Sequence, residues 1–351
     1  MKFFRIIWIL LFITCNVYAQ GVDEKFTPSG KPIVHVFGNA IYNIESERYD
    51  YNFTRAHLGY QYQFSPEWSA KVIIDRGRST SVDKIRAIDS EGNELEVENS
   101  SKEGAYYSMY LKFASLKWRV NEKLTLEGGA ILQNHFITQE RFWGLRLAVQ
   151  TFQDMYWKIP SSDLGFIAYY QLTPGILLDF ALTNGEGPRA KQDEDGKVKI
   201  AGGMTFYLSN KIKFRGYYHN RKAVRSDLAL EQMYSTFIGY QVSKKLRIGA
   251  EFNLMENLNY IKQQKSKGVS VYSVYSINYK TEYFVRFDYL NSNSEIQKEG
   301  NPIEDGSSFM AGISHSPADK VRCSLNYLGS LSDISTIQNK NKVVFTMEYK
   351  F

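Results

Sequence analysis

Val343-Val344-Phe345-Thr346-Met347-Glu348-Tyr349-Lys350-Phe351 ends the chain, and its reading decides the fold. Val343, Phe345, Met347, Tyr349 and Phe351 are apolar, while Thr346, Glu348 and Lys350 between them are polar. Successive side chains of a strand point to opposite faces, so this is a strand with one dry and one wet face. The same period recurs upstream. Leu246, Ile248, Ala250, Phe252 and Leu254 alternate with Arg247, Gly249, Glu251 and Asn253. Val198, Ile200, Gly202, Met204, Phe206 and Leu208 alternate with Lys197, Lys199, Ala201, Gly203, Thr205 and Tyr207, and Tyr283, Val285, Phe287 and Tyr289 with Phe284, Arg286 and Asp288.

A dry face repeated this often must be covered. In a secreted β-sandwich or β-helix, protein covers it; here no second layer is legible, and lipid is the other cover. Composition agrees. Apolar residues are 43% of the 351 and charged residues 23%, which excludes a disordered chain, and a mean hydropathy of −0.37 excludes a polytopic helical membrane protein. Tyr (25) is as common as Gly (25), which suits strands with one face in water and the other in an apolar medium.

The first residues read as an export signal. Lys2 and Arg5 precede the apolar run Ile6 to Ile13, and Val17-Tyr18-Ala19 resembles a cleavage site. The run is too short to span a bilayer as a helix. Cys15 would anchor a lipoprotein, but Phe12-Ile13-Thr14 before it is a poor lipobox. The expected division is a signal peptide over 1–19 and one barrel domain over 20–351. Cleavage would leave Cys323 alone, without an internal disulfide framework.

Connections alternate between short and long. Short ones fall at Ser65-Pro66-Glu67, Val120 to Glu122, Thr173-Pro174-Gly175, Ser209-Asn210, Ser243-Lys244, Lys280-Thr281 and Pro317 to Lys320. Long polar ones fall near Glu45 to Asp50, Ser79 to Gly104, Thr138 to Ser162, Gly185 to Gly196, Ala223 to Leu230, Asn257 to Gly268, Ser292 to Gly306 and Ser330 to Asn341. About 16 strands lie between them, the even number of a single-chain bacterial barrel. Every short turn then falls on the periplasmic side and every long loop outside. The predicted fold is all-β: a transmembrane antiparallel β-barrel of about 16 strands. Phe351, with Tyr349 behind it on the dry stripe, reads as the assembly signal of an outer-membrane barrel.

The stretch Phe142-Trp143-Gly144-Leu145-Arg146, then Phe152-Gln153-Asp154, Ser162-Asp163-Leu164-Gly165-Phe166 and Thr183-Asn184-Gly185-Glu186-Gly187, resembles the central block of Bacteroidota outer-membrane porins, which are similar to the phosphate-selective porin O and P family. Gly59-Tyr60-Gln61-Tyr62-Gln63-Phe64 to Val72-Ile73-Ile74-Asp75 resembles that family's first hairpin. The resemblance implies a barrel of about 16 strands whose third outer loop folds inward. It does not extend to a full ladder of lumenal arginines.

The residues point to that loop on their own account. Thr138 to Ser162 is the third long connection and the least polar, with Phe142, Trp143, Leu145, Leu147, Val149, Phe152 and Trp157. Leu145, Ala148, Val149 and Phe152 have helical spacing, which predicts a short amphipathic helix. The alternatives are a loop folded into the lumen and one packed on its neighbours at the rim. Its charged members Arg141, Arg146, Asp154 and Lys158 are the candidates for a constriction.

By parity, Lys197, Lys199, Lys211, Lys213 and Arg215 share the wet face of two adjacent strands, and Arg55, His57, Lys71, Arg247, Lys280, Arg286 and Arg322 also point inward, against Asp75, Glu127, Asp179, Glu251 and Asp288. A basic excess in a low-dielectric wall attracts anions, unless the cations pair with lumenal carboxylates or with lipopolysaccharide. Lys197, Lys199, Lys211, Lys213, Arg215, Arg247, Arg286 and Arg322 are the pore-lining candidates, the first five forming a cationic track.

Catalytic and metal motifs are absent: no H-E-x-x-H, C-x-x-C, Walker loop or G-x-S-x-G elbow occurs. His35, His57, His135, His219 and His315 are scattered over different strands. In Ser314-His315-Ser316 adjacent side chains face opposite ways, so His315 and Ser316 form no direct dyad. Asp193-Glu194-Asp195-Gly196 lacks calcium-ligand spacing and reads as a solvated turn. Cys323 reads as a small lipid-facing residue. A TonB-dependent receptor is not expected, because the stretch before the first predicted strand is too short for a plug domain. The expectation is a non-enzymatic, cofactor-free outer-membrane porin passing small hydrophilic solutes, with a preference for anions that includes phosphate-like ones. The other readings are a barrel enzyme of the lipase or deacylase type, on a narrower barrel, and a structural outer-membrane protein. Expected partners are outer-membrane lipid and lipopolysaccharide, the barrel-assembly machinery and small solutes or anions. A homotrimer is a candidate assembly, and nucleic acid is not a partner.

Overall fold

The computed structural model describes residues 26–77, 107–188, 198–223, 225, 227–293, 305–333 and 338–351, with the backbone alone at 84–88, 94–98 and 196–197. In chain order the strands are β1 (Ser29–Asn43), β2 (Arg48–Gln63), β3 (Trp68–Arg76), β4 (Lys84–Ile88), β5 (Glu94–Glu98), β6 (Met109–Arg119), β7 (Leu124–Leu132), β8 (Ser162–Thr173) and β9 (Ile176–Thr183). Then come β10 (Gly196–Tyr207), β11 (Ile212–Ala223), β12 (Glu231–Gln241), β13 (Leu246–Glu256), β14 (Lys265–Ser276), β15 (Thr281–Ser292), β16 (Gly306–Ala318), β17 (Val321–Ser332) and β18 (Lys340–Lys350). Sixteen of these, all but β4 and β5, close into one antiparallel barrel, each paired with its neighbours in sequence, and β18 returns to β1. β4 and β5 form a separate hairpin within the second long connection.

The seam between β1 and β18 is closed from His35↔Lys350 to Asn43↔Lys342. The terminal residue takes part: Val34 N donates to Phe351 O at 2.9 Å and Phe351 N to Val34 O at 3.0 Å. Closure matters because hydrocarbon offers no partner to an open sheet edge.

Period two becomes two faces, as the sequence predicts. Phe252, Val285, Phe287, Phe345, Met347 and Tyr349 are exposed on the outer face, whereas Glu251, Arg286, Asp288, Thr346 and Glu348 are buried inside. Cys323 lies on the outer parity, half-buried, opposite His315. The short turns gather at one end of the barrel and the long connections at the other. The first connection is an exception, since β1 and β2 pair up to Asn43↔Arg48 and leave only 44–47, with Glu47 at φ 52 closing the turn. Register shifts interrupt the pairing at five points among the described residues. One opposite Ile73 and Ile74 leaves Lys112 unmatched on β6, so that Lys112 and Phe113 are both buried.

The third long connection, 133–161, holds two short helices, α1 (Ile137–Trp143) and α2 (Phe152–Tyr156). The helix predicted over Leu145 to Phe152 does not form. Gly144 adopts the left-handed region (φ 69) as the C-cap of α1, and its N–H closes on Glu140 O at 2.9 Å. Beyond it Leu145 O accepts from Ala148 and Val149 in a single turn, and Thr151 is extended ahead of α2.

The predicted signal peptide, the Asp193-Glu194-Asp195 turn and the side chain of Lys197 lie outside the described residues, as do parts of the loops expected at 79–104, 185–196, 292–306 and 330–341.

Candidate functional site

The site is built by how 133–161 meets the wall. Its apolar side chains pack on inward-facing residues of β12 to β16. Phe142 meets Phe237 edge-on at 5.7 Å, and Trp143 meets Tyr272 at 4.7 Å and Phe284 at 5.5 Å. Leu145, Val149 and Met310 fill the same cluster, and Phe152 and Trp157 fill a second one with Met233, Met255 and Leu290. These contacts need glycine on the wall. A Cβ at Gly239 would lie 2.9 Å from the Phe142 ring, and one at Gly268 would overlap Phe152.

Polar contacts fasten the same segment. Gln153 Nε2 donates to Asn253 Oδ1 at 2.7 Å and Ser235 Oγ at 3.1 Å, Trp157 Nε1 to Ser266 Oγ at 3.0 Å, and Tyr156 Oη to Asp288 at 3.0 Å. Several cations predicted to line a pore are spent here. Arg215 (3% exposed) forms a two-pronged pair with Asp179 at 2.7 and 2.9 Å and donates to Asn134 O and Thr205. Arg286 (2% exposed) is paired likewise with Asp288 and donates to Gln150 O. Lys199, also buried, donates to Gln133 Oε1. Arg247 and Arg322 share Glu282 and donate to Trp143 O (3.1 Å) and Gly144 O (2.8 Å), the carbonyl end of α1, where cations are favourable.

The cationic track expected on β10 and β11 is therefore not a water-lined row. Lys199 and Arg215 are buried beneath 133–161, Lys211 sits exposed in the turn after β10, and Lys213 is half-buried 5.9 Å from the Phe142 ring. The reason is desolvation: a buried guanidinium is tolerable only when its donors are satisfied, and carboxylates plus loop carbonyls satisfy them.

What stays open lies between 133–161 and the opposite wall of β2, β3 and β6. There Arg55 makes no ion pair among the described residues; its Nη1 is 3.3 Å from His35 Nδ1 and its guanidinium 4.8 Å over the Phe37 ring. Lys112 bonds Asp75 at 2.6 Å, with His57 at 3.2 Å from the same carboxylate, and Glu127 serves Lys117 (3.2 Å) and Lys71 (4.0 Å). Facing them, Arg146 bridges Asp154 (2.9 Å) and Glu140 (3.3 Å), while Arg141 and Lys158 are exposed. Arg141, Arg146, Asp154 and Lys158 are thus on the open side of the segment. Lys112 and Lys117 escaped the sequence reading; the bulge hid the parity of Lys112.

Cavities flank the segment at both ends. Towards the long loops, one of about 970 Å³ has Arg76, Lys112, Arg146 and Lys158 against Asp75, Asp154 and Glu186. Towards the short turns, one of about 550 Å³ has Lys71, Lys117, Arg119, Arg141 and Arg215 against Glu67, Glu127 and Asp179. Another of about 600 Å³, at the turns after β12, β14 and β16, has Lys244, Lys245, Lys280, Lys320, Arg322 and Lys350 against Glu282 and Glu348. Cations outnumber carboxylates in all three. His315, singled out beside Ser314 and Ser316, faces outward and bonds Thr281 Oγ1 at 3.0 Å, whereas Ser314 is buried and accepts from Arg322 Nε.

No protein-family model matches the chain, and no curated protein matches it in sequence. Solved structures match its architecture. The outer membrane channel DcaP of Acinetobacter baumannii is 14% identical with a TM-score of 0.60, the match covering 95% of this chain and 100% of that one. An anion-selective porin from Comamonas acidovorans is 10% identical with a TM-score of 0.64, covering 93% and 100%. Salmonella typhi OmpF, in a complex with daunomycin, is 10% identical with a TM-score of 0.65, covering 92% and 97%. The fold is that of outer-membrane porins. At these identities the likeness is one of architecture.

Proposed function

We propose that this chain is an outer-membrane porin through which small hydrophilic solutes diffuse passively, with anions preferred. One observation carries the reading. The 133–161 segment is packed onto one inner wall of a closed sixteen-stranded barrel, and the two cavities that flank it are lined by more Lys and Arg than Asp and Glu. About 16 strands enclose an aqueous channel, where about 8 are filled by side chains. The segment is then an inward-folded constriction, with Arg55, Lys71 and Lys117 on the wall side and Arg141, Arg146, Asp154 and Lys158 on the loop side. A positive field between low-dielectric walls raises local anion concentration. The porin neighbours, one of them anion-selective, support the same reading by analogy of fold.

On this reading residues 1–19 direct export, the barrel-assembly machinery reads Phe351 and Tyr349, and the outer face meets lipid and lipopolysaccharide. The long loops face outside, a homotrimer is the assembly to test for, and membership of the Bacteroidota porins with phosphate among the solutes is the finer proposal. The test is single-channel recording of the refolded chain under a KCl gradient. A steady conductance with a reversal potential on the chloride side is expected. A chain that inserts without conductance, or favours potassium, overturns the proposal.

A further inference from the structure

We infer that a basic basin at the short-turn end of the barrel docks an extended acidic peptide segment of a partner protein. The inference goes beyond the channel reading and takes from it only that the short turns face the periplasm.

The basin, of about 600 Å³, opens at the turns after β12, β14 and β16. Lys244 and Lys245 come from the first turn, Lys280 from the second and Lys320 from the third, and all four are exposed. None of them makes an ion pair among the described residues; Lys280 Nζ lies 5.6 Å from the centre of the Tyr279 ring. The carboxylates that line the basin are already held, Glu282 by Arg247 and Arg322 and Glu348 by His35. Asp319, the one acidic residue of these three turns, does not line it. Elsewhere at this end charges are sparse or mixed: Glu67 after β2, Glu122 with Lys123 after β6, none at Thr173-Pro174-Gly175 and Lys211 alone after β10.

The basin lies off the open gap. Arg322, which lines it, donates to Gly144 O at 2.8 Å, and Arg247 donates to Trp143 O at 3.1 Å, so the basin ends beneath α1. The gap runs along the other wall, at β2, β3 and β6. A closed end suits holding a ligand more than passing one. Spacing then selects the ligand. Neighbouring strands are about 4.8 Å apart, so successive hairpin turns are about 10 Å apart and the lysine row extends about 20 Å. A compact anion reaches one turn at a time. An extended peptide covers the row with about six residues at ~3.3 Å each, and carboxylates on alternate residues point to the same side. Tyr279, 92% exposed at the tip of the second turn, lines the same basin. Tyr is enriched in docking surfaces, and a bare anion makes no use of it. Clustered exposed cations also steer an acidic partner toward the site.

The test is fluorescence anisotropy of a labelled peptide of four Glu-Ala repeats, titrated with the refolded full chain in a zwitterionic detergent at low ionic strength. Binding is expected, and it should fade as salt rises. Lys244→Gln/Lys280→Gln/Lys320→Gln should weaken it about tenfold or more, three exposed charge pairs contributing a factor of roughly two to three each. Lys123→Gln/Lys211→Gln, which removes two exposed lysines from other turns, should leave it within about twofold of wild type. A peptide with one central Ala replaced by Phe should bind more tightly, and Tyr279→Ala should remove that gain. Heat-modifiable migration checks that each variant is folded. Tripolyphosphate, a compact polyanion, should compete less well than the unlabelled peptide. No binding, or equal loss in the two lysine variants, overturns the inference; so does tripolyphosphate competing as well as the peptide, which would assign the basin to a free anion. No current is measured, so failure here leaves the channel reading standing.

Discussion

The ring of Phe152 lies over the Cα of Gly268, in the space a β-carbon would take. Phe152 opens the second helix of 133–161, and Gly268 sits on the inner face of β14. The neighbouring Trp157–Ser266 hydrogen bond, at 3.0 Å, holds the same helix to the same strand. A wall glycine is thus the socket that lets an aromatic loop lie flat and leaves room for a cavity on its other side.

Gly268→Val should lift Phe152 from this socket. Overpacking a filled site costs about 1–3 kcal/mol, too little to open a sixteen-stranded barrel but enough to loosen the segment. The variant should still show heat-modifiable migration, while its single-channel current becomes noisier and changes in amplitude. A current identical to wild type would mean that this contact does not set the position of the segment.

Arg215 and Asp179 are paired over β10, where Gly203 leaves space for the guanidinium. Arg215→Met leaves Asp179 buried without its partner, which costs about 3–5 kcal/mol. Thermal unfolding followed by gel migration should shift markedly lower, and Arg215→Met combined with Asp179→Leu should recover part of the loss. Full stability in the single variant would show that the pair contributes nothing.

Selectivity should follow exposure more than formal charge. Arg55→Gln and Arg141→Gln together remove two cations that make no ion pair among the described residues, so the reversal potential should move toward cations. Lys199→Gln, beneath the segment, should move it little. The shift should be largest in dilute salt and fade as ionic strength rises, because screening acts over about 8–10 Å at physiological salt. An equal shift from Lys199→Gln would overturn this ranking.

Deleting Phe351 removes both backbone hydrogen bonds to Val34 at the closing seam, together with the last outward aromatic. The amount of folded barrel in the membrane should fall much further than the ~1–3 kcal/mol of one aromatic side chain explains. Immunoblots of membrane fractions measure it; unchanged levels would show that the terminal residue is dispensable.

The sequence by itself determined the barrel. Alternation such as Phe345, Met347, Tyr349 against Thr346, Glu348, Lys350 is a property of each strand alone, because side-chain direction in a strand is fixed by backbone geometry. Short turns and long connections then set the count and the two ends, and no distant contact is needed to read either. What the cations do was decided only in three dimensions. Parity gives Lys199, Arg215 and Arg286 the same inward direction as Arg55, yet the first three lie under 133–161 against Gln133, Asp179 and Asp288, while Arg55 remains beside the gap. The difference is made by residues far away in sequence: Phe142 and Phe152 find glycine sockets on β12 and β14, and the wall they cover loses its water. Burial converts a charge from an attractant into a fastening, because a desolvated ion must be paired, and strand parity carries no information about which face of a lumen a loop will cover.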